Sequence, residues 1–271
     1  MTEQRATLRI AAVADIHVKK TSQGALQPLF SRATEEADVL LLCGDLTDYG
    51  TTEEAKILAK DITSCLRIPA LAVLGNHDLE SGQEHDVVEI LTDAGVTVLD
   101  GDSHEIHGVG FAGTKGFGGG FGRRQLGAWG EKIIKDFVHE AIEEALKLER
   151  ALLRLRTPQK IAVLHYAPVH QTVEGEPPEI MPFLGSSRLE EPINRYRVTA
   201  VFHGHAHRGS PEARTSAGVP VYNVAMPLLA RRNPDRPPYL VVELPLGGDA
   251  QHPPEGQPPS GDLAEPVVKT A

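Results

Sequence analysis

Five short stretches of the chain carry side chains able to hold a metal ion or move a proton. They are Asp15-Ile-His17, Gly44-Asp45, Gly75-Asn76-His77-Asp78, His165 and Gly204-His205-Ala-His207. Each follows an apolar run. Carboxylate, imidazole and amide donors with no thiolate among them suit borderline divalent ions such as Mn, Fe, Zn, Co or Ni, and exclude a cysteine-type structural zinc site. The set is large enough for two ions, which at about 3.5–4 Å apart need a shared carboxylate. Such a pair lowers the pKa of a bridging water, giving hydroxide near neutral pH, and stabilises the charge that builds on a phosphoryl group. A neighbouring histidine can then protonate the leaving oxygen.

The runs before these residues read as strands over 8–14, 38–43, 69–74, 161–164 and 198–202. Residues 38–43 (Asp-Val-Leu-Leu-Leu-Cys) are almost continuously apolar, as in a strand buried on both faces. Helices are expected over 25–37, from Thr51 to about Leu66, and over 86–94. The second has a hydroxyl cap followed by Glu53 and Glu54. This β-α-β-α-β-α order argues for a layered α/β fold with a largely parallel sheet. Ligands of such folds sit beyond the carboxyl ends of the strands, where all five stretches fall.

Short strands are expected at 96–99, 103–107 and 108–112, a long amphipathic helix over 131–156, a short helix over 188–196, and last strands at 219–225 and 239–244. Residues 113–124 are too glycine-rich to hold one conformation without contacts. There Phe117 and Phe121 could stack on a ring and Arg123 or Arg124 could meet phosphate; a flexible surface loop is the equal alternative. Residues 167–182, with several prolines, read as loop. Residues 1–246 read as one catalytic domain and 247–271 as a Pro/Gly-rich disordered tail.

The 271 residues are 41% hydrophobic and 24% charged, as in a soluble globular protein, with a net charge of −10 that argues against stable nucleic-acid binding. Small phosphorylated substrates remain compatible once metal makes the site positive. Cys43 and Cys65 form no C-x-x-C pair and read as buried free thiols, which fits a reducing cytoplasm. No stretch reads as a signal peptide or a membrane span. Gly108–Gly113 matches G-x-G-x-x-G but is not the first β-α turn, so no dinucleotide site is inferred.

Taken together, the order D-x-H, G-D, G-N-H-D, H, G-H-x-H resembles that of the calcineurin-like metallophosphoesterases, over roughly residues 8–245. The resemblance implies a two-sheet α/β sandwich flanked by helices and a site for two divalent ions, with Mn, Fe or Zn foremost. By position, Asp15, His17 and His207 would bind one ion, Asn76, His165 and His205 the other, and Asp45 would bridge. His77 would face the scissile phosphate as proton donor or charge stabiliser. Asp48 is similar to the family's acid that orients this histidine, with Asp78 a second candidate. Protein phosphatases of the family have an arginine where Tyr49 stands, and purple acid phosphatases a tyrosine where Asp48 stands. These departures point away from both, and the short form of the domain with D-x-H resembles the bacterial phosphodiesterases, cyclic-nucleotide enzymes included.

The expected function is hydrolysis of a phosphodiester of a small, nucleotide-like substrate by metal-bound hydroxide. The alternatives are a phosphomonoesterase on the same site and a non-catalytic module keeping the fold, the latter disfavoured because every ligand slot is filled. Singly, each residue has an ordinary explanation: a hydrogen-bonded histidine, an Asp cap, an Asn turn. His203 fits no ligand slot and is expected to be structural. Arg208 is weighed as a phosphate contact; His170 is weighed as a substrate contact, with a surface or structural role favoured.

Overall fold

The first strand divides its side chains between two apolar layers. In β1 (Thr7–Val13), Leu8, Ile10 and Ala12 face one way and Ala11 and Val13 the other, the two-residue period of a strand. β2 (Val39–Cys43) repeats this with Val39, Leu41 and Cys43 on one side and Leu40 and Leu42 on the other. Both faces are therefore buried, which is why the run reads as continuously apolar.

The computed structural model describes residues 7–246 and the backbone of 267–268. With β3 (Ala70–Val73), β4 (Val96–Val98), β11 (Leu240–Pro245) and β12 (Val267–Val268), the first sheet has the order β12-β11-β1-β2-β3-β4. β1, β2, β3 and β4 run parallel, and β11 joins antiparallel to β1. The second sheet is built from β5 (Asp102–Ile106), β6 (Val109–Gly113), β7 (Gln159–Val163), β8 (Ala200–His203), β9 (Glu212–Arg214) and β10 (Pro220–Asn223), in the order β5-β6-β7-β8-β10-β9. Its β6, β7, β8 and β10 are parallel.

The sheets meet across one core, where Leu41, Cys43 and Val73 join Phe111, Val163 and Phe202. Helices α1 (Gln27–Glu36), α2 (Thr52–Cys65) and α3 (Glu84–Asp93) cover the outer face of the first sheet through Phe30, Leu58 and Leu91. Helix α4 (Lys132–Arg154) and α5 (Glu190–Arg195) cover the second through Leu148, Leu152 and Ile193. This is the two-sheet α/β sandwich flanked by helices that the family resemblance implied. Thr51 caps α2 with a reciprocal bond from Glu54, as its sequence suggests.

β9, three residues long, and α6 (Met226–Arg232), which starts on Met-Pro two residues after β10, were not foreseen; both are too short to show a period. The tail reading falls on residues 247–266 and 269–271, outside the described residues, while Val267–Val268 pair with β11. No helix of the described residues is long and apolar enough to cross a membrane.

Candidate metal centre

The parallel strands end at one rim, and the five motif stretches leave from it. Asp15 and His17 follow β1, Asp45 follows β2, Asn76 and His77 follow β3, His165 follows β7, and His205 and His207 follow β8. The exits are laced together by backbone bonds: Asp15 N–H to the Gly44 carbonyl (2.9 Å), His17 N–H to that of Asp45 (3.1 Å), and Gly204 N–H to that of His165 (3.1 Å).

The turns are strained. Asp15, His17, Asp45 and His205 hold φ of 57°, 42°, 50° and 69°, the left-handed region that non-glycine residues seldom adopt. Such outliers persist where the surroundings over-determine them, and they gather at functional sites. The motif glycines make room for the ligands. A Cβ on Gly44 would overlap the His165 ring, one on Gly75 the Asp45 carboxylate, and one on Gly204 the Asp15 carboxylate.

Three groups of donors converge, each within 4.8 Å: Asp15, His17 and His207; His17, Asp45 and His77; and Asp45, His165 and His205. His165 Nε2 lies 3.4 Å from Asp45 Oδ1 and 3.1 Å from Asn76 Oδ1. His17 Nε2 lies 3.9 Å from Asp45 Oδ2, and His207 Nε2 lies 3.0 Å from Asp15 Oδ1. All seven ligand-type residues named from the sequence, together with His77, are thus gathered at one rim.

Backbone carbonyls fix the imidazoles. His165 Nδ1 donates to the Cys43 carbonyl (3.0 Å), leaving Nε2 towards Asp45. His205 Nε2 donates to the Phe183 carbonyl (3.3 Å), leaving Nδ1. His77 Nδ1 donates to the Asp48 carbonyl (2.8 Å), leaving Nε2. Carbonyl partners of this kind set the tautomer and orientation of a ligating histidine.

The electrostatics follow from packing five imidazoles around the buried Asp15 and Asp45. Burial pushes the Asp45 carboxyl up, but the charge and hydrogen bond of His165 outweigh it and hold it well below the usual carboxylate range. Burial lowers His165, yet Asp45 brings it to about 9. Burial, with His165 nearby, pushes His205 down to about 3, and burial lowers His17 against the pull of Asp45. His207 is raised by its hydrogen bond to Asp15. The donor set fits divalent ions: two carboxylates at the centre, an amide oxygen, and imidazoles, of which His165 and His205 have their other nitrogen engaged by a backbone carbonyl.

Two residues considered for orienting His77 sit differently from that expectation. Asp48 meets His77 through its carbonyl, while its carboxylate faces His17 Nδ1 and Lys19 Nζ, each at 3.7 Å. Asp78 is fully buried beneath the turns. It accepts from the amides of Leu46 (3.1 Å), Thr47 (2.8 Å) and Gly75 (2.8 Å) and from the Thr47 hydroxyl (2.6 Å). His203 is buried between the Gly204 carbonyl and the Thr172 hydroxyl, and burial lowers it to about 4.

The glycine-rich loop is held, not loose. Gly119 N–H meets the Pro182 carbonyl (2.7 Å) and Gly120 N–H that of Gly185 (3.0 Å). Phe117 is half-buried against Phe137 and Tyr166, and Phe121 packs on His170, so these rings serve packing. Arg208 has an exposed side chain, and its amide is taken by Glu176 (2.6 Å). The sequence reading missed Phe183, whose carbonyl touches His205. Its only sequence signal was a position just beyond a proline-rich loop.

The model of the calcineurin-like phosphoesterases matches residues 8–209, and the chain belongs to that family of metal-dependent phosphoester hydrolases. The Arcobacter nitrofigilis protein "Probable glycerophosphodiester phosphodiesterase GpdQ" is 24% identical over 219 residues, spanning 74% of this chain and 72% of its own. Phosphopantetheinyl hydrolase (PptH) from Mycobacterium tuberculosis superposes with a TM-score of 0.62 at 16% identity, over 92% of this chain and 99% of that one. GAP50, the anchor in the inner membrane complex of Plasmodium, gives 0.55 at 12% identity, over 90% and 83%. At such identities these structures speak to the fold alone.

Proposed function

We propose that the protein hydrolyses a phosphodiester of a small, nucleotide-like substrate at a centre of two divalent ions, with Mn, Fe or Zn best suited. The observation that carries this is Asp45. Its Oδ1 faces His165 at 3.4 Å and its Oδ2 faces His17 at 3.9 Å, so one carboxylate is open to two ligand groups. On this reading Asp15, His17 and His207 hold one ion, Asn76, His165 and His205 the other, and Asp45 serves both. When bound, the ions lower the pKa of a water and hold phosphoryl oxygens.

His77 is then the proton donor to the leaving oxygen. Its Nδ1 is engaged by the Asp48 carbonyl, its Nε2 is free, and its ring is 37% exposed. Asp48 acts as a positioning residue. The diester preference is supported by the name of the Arcobacter relative. The small-substrate reading is supported by the net charge of −10, which is unsuited to a nucleic-acid backbone.

Paired rates on p-nitrophenyl phosphate and bis(p-nitrophenyl) phosphate in Mn and in Zn test this, with Asp45→Asn as control. The diester is expected to react faster, and the variant to abolish the rate. A monoester preference would move the reading to a phosphatase.

A further inference from the structure

Two exposed aromatic side chains flank the cluster, Phe183 (58% exposed) and Tyr49 (56%). Their backbones are tied to two different donor groups that share Asp45. Tyr49 follows Asp48, whose carbonyl holds His77, and His77 groups with His17. Phe183 accepts from His205 through its own carbonyl, and His205 groups with His165. The Phe183 ring therefore lies within one side-chain length of an atom bonded to a ligand-type imidazole.

The segment carrying it is preorganised. The Pro182 carbonyl takes Gly119 N–H (2.7 Å), and the Leu184 carbonyl takes Ala167 N–H (3.0 Å). The Phe183 ring packs edge-on against Phe137, with centroids 6.0 Å apart and planes at 82°, and Phe137 is backed by Phe117 at 4.8 Å. Packing on Phe137 thus holds the ring while most of the residue stays exposed. A rigid aromatic surface next to a polar reacting centre is what orients the organic part of a ligand.

We propose that Phe183, backed by Phe137, is the specificity-determining contact for an apolar or aromatic group that the phosphodiester retains after cleavage. This rests on the function proposed above: with His77 protonating the leaving oxygen, the departing group lies on the Tyr49 side and the retained group on the Phe183 side. Tyr49 is accordingly the control position.

The test measures binding of phenylphosphonate and methylphosphonate to the Mn-loaded protein by calorimetry, in the wild type, Phe183→Ala and Tyr49→Ala. Neither compound has an ester bond to cleave, so binding is read apart from turnover. The wild type should prefer the phenyl compound by about 10-fold, the size of a stacked aromatic contact plus its buried area. That ratio should fall to about 2-fold or less in Phe183→Ala and persist in Tyr49→Ala. Metal content should not change, because the contact to His205 is made by the backbone. No phenyl preference in the wild type, a preference that survives Phe183→Ala, or one lost only in Tyr49→Ala overturns the proposal. If the preference behaves as expected but the loaded protein cleaves no phosphate ester, the hydrolytic reading fails and the subsite stands.

Discussion

The backbone amide of His77 donates to the Asp45 carboxylate at 2.9 Å. The acid that stands between the two ligand groups therefore also sets where the His77 imidazole is held. Two substitutions separate these jobs. His77→Ala leaves the amide and the donors around Asp45 in place, so metal uptake should persist while the rate on a diester falls about 10²–10⁴-fold, the usual worth of a positioned proton donor. Asp45→Asn should lose bound metal as well as rate. Metal analysis of the two purified variants beside the wild type decides this: equal metal loss in both would remove His77 from the proton-donor role.

Metal uptake should expel a proton. His165 is held at about 9 by Asp45, against the effect of its burial. At pH 7 the metal-free imidazole is thus charged, and only its neutral form ligates. Metal affinity should rise as pH goes from 7 to 9 and level off above the His165 pKa. Calorimetric titration of Mn at pH 7, in buffers of different ionisation heat, should show about one proton released per His165 site filled. Affinity that is flat from pH 7 to 9 would contradict it.

Much of the site was legible because its residues follow apolar runs. Parallel strands deliver their carboxyl ends to one rim, so Asp15, Asp45, Asn76, His165 and His205 had to meet once the runs were read as strands. The strain at Asp15, His17, Asp45 and His205 was not legible. A left-handed Asp15 or His205 is imposed by neighbouring contacts, not by its own type. Phe117 and Phe121 illustrate another limit: an aromatic in a glycine-rich stretch does not reveal which way it faces, and here both pack inward. Asp78 looked like part of the chemistry by its place in Asn-His-Asp. Its role is set by three amides and a hydroxyl from turns that only the fold brings together.

Asp78 should accordingly matter for stability. Removing its side chain in Asp78→Ala strands buried donors from Leu46, Thr47 and Gly75. Each orphaned donor costs about 1–3 kcal/mol, less what water recovers. A net loss of about 3–5 kcal/mol is expected from denaturant unfolding of the metal-free protein. Asp78→Asn keeps an acceptor oxygen and should lose roughly half as much. A loss below about 1 kcal/mol in Asp78→Ala would show that the turns hold without this staple.

Glu144 makes a parallel case at longer range. It sits on α4, where a glutamate between apolar positions reads as solvated, yet it is buried. Its carboxylate accepts from the Thr114 hydroxyl (2.7 Å) and the Gly116 amide (2.8 Å), and it pairs with Lys147 (2.8 Å). Between those two anchors, the Lys115 carbonyl accepts from the amides of both His165 and Tyr166 at 3.0 Å. The chain of contacts runs from helix to loop to a candidate ligand. Glu144→Ala should cost about 3 kcal/mol, as for a buried, hydrogen-bonded charge removed from its partners. Because the loop then loses its registration, metal should also bind more weakly, by roughly 10-fold, the lower end for loss of an outer-shell partner. Glu144→Gln, which retains an acceptor, should recover most of the metal affinity but not all of the stability. Unfolding and Mn titration on the two variants separate the outcomes. Lost stability with unchanged metal affinity in Glu144→Ala would confine Glu144 to packing and break the proposed link to His165.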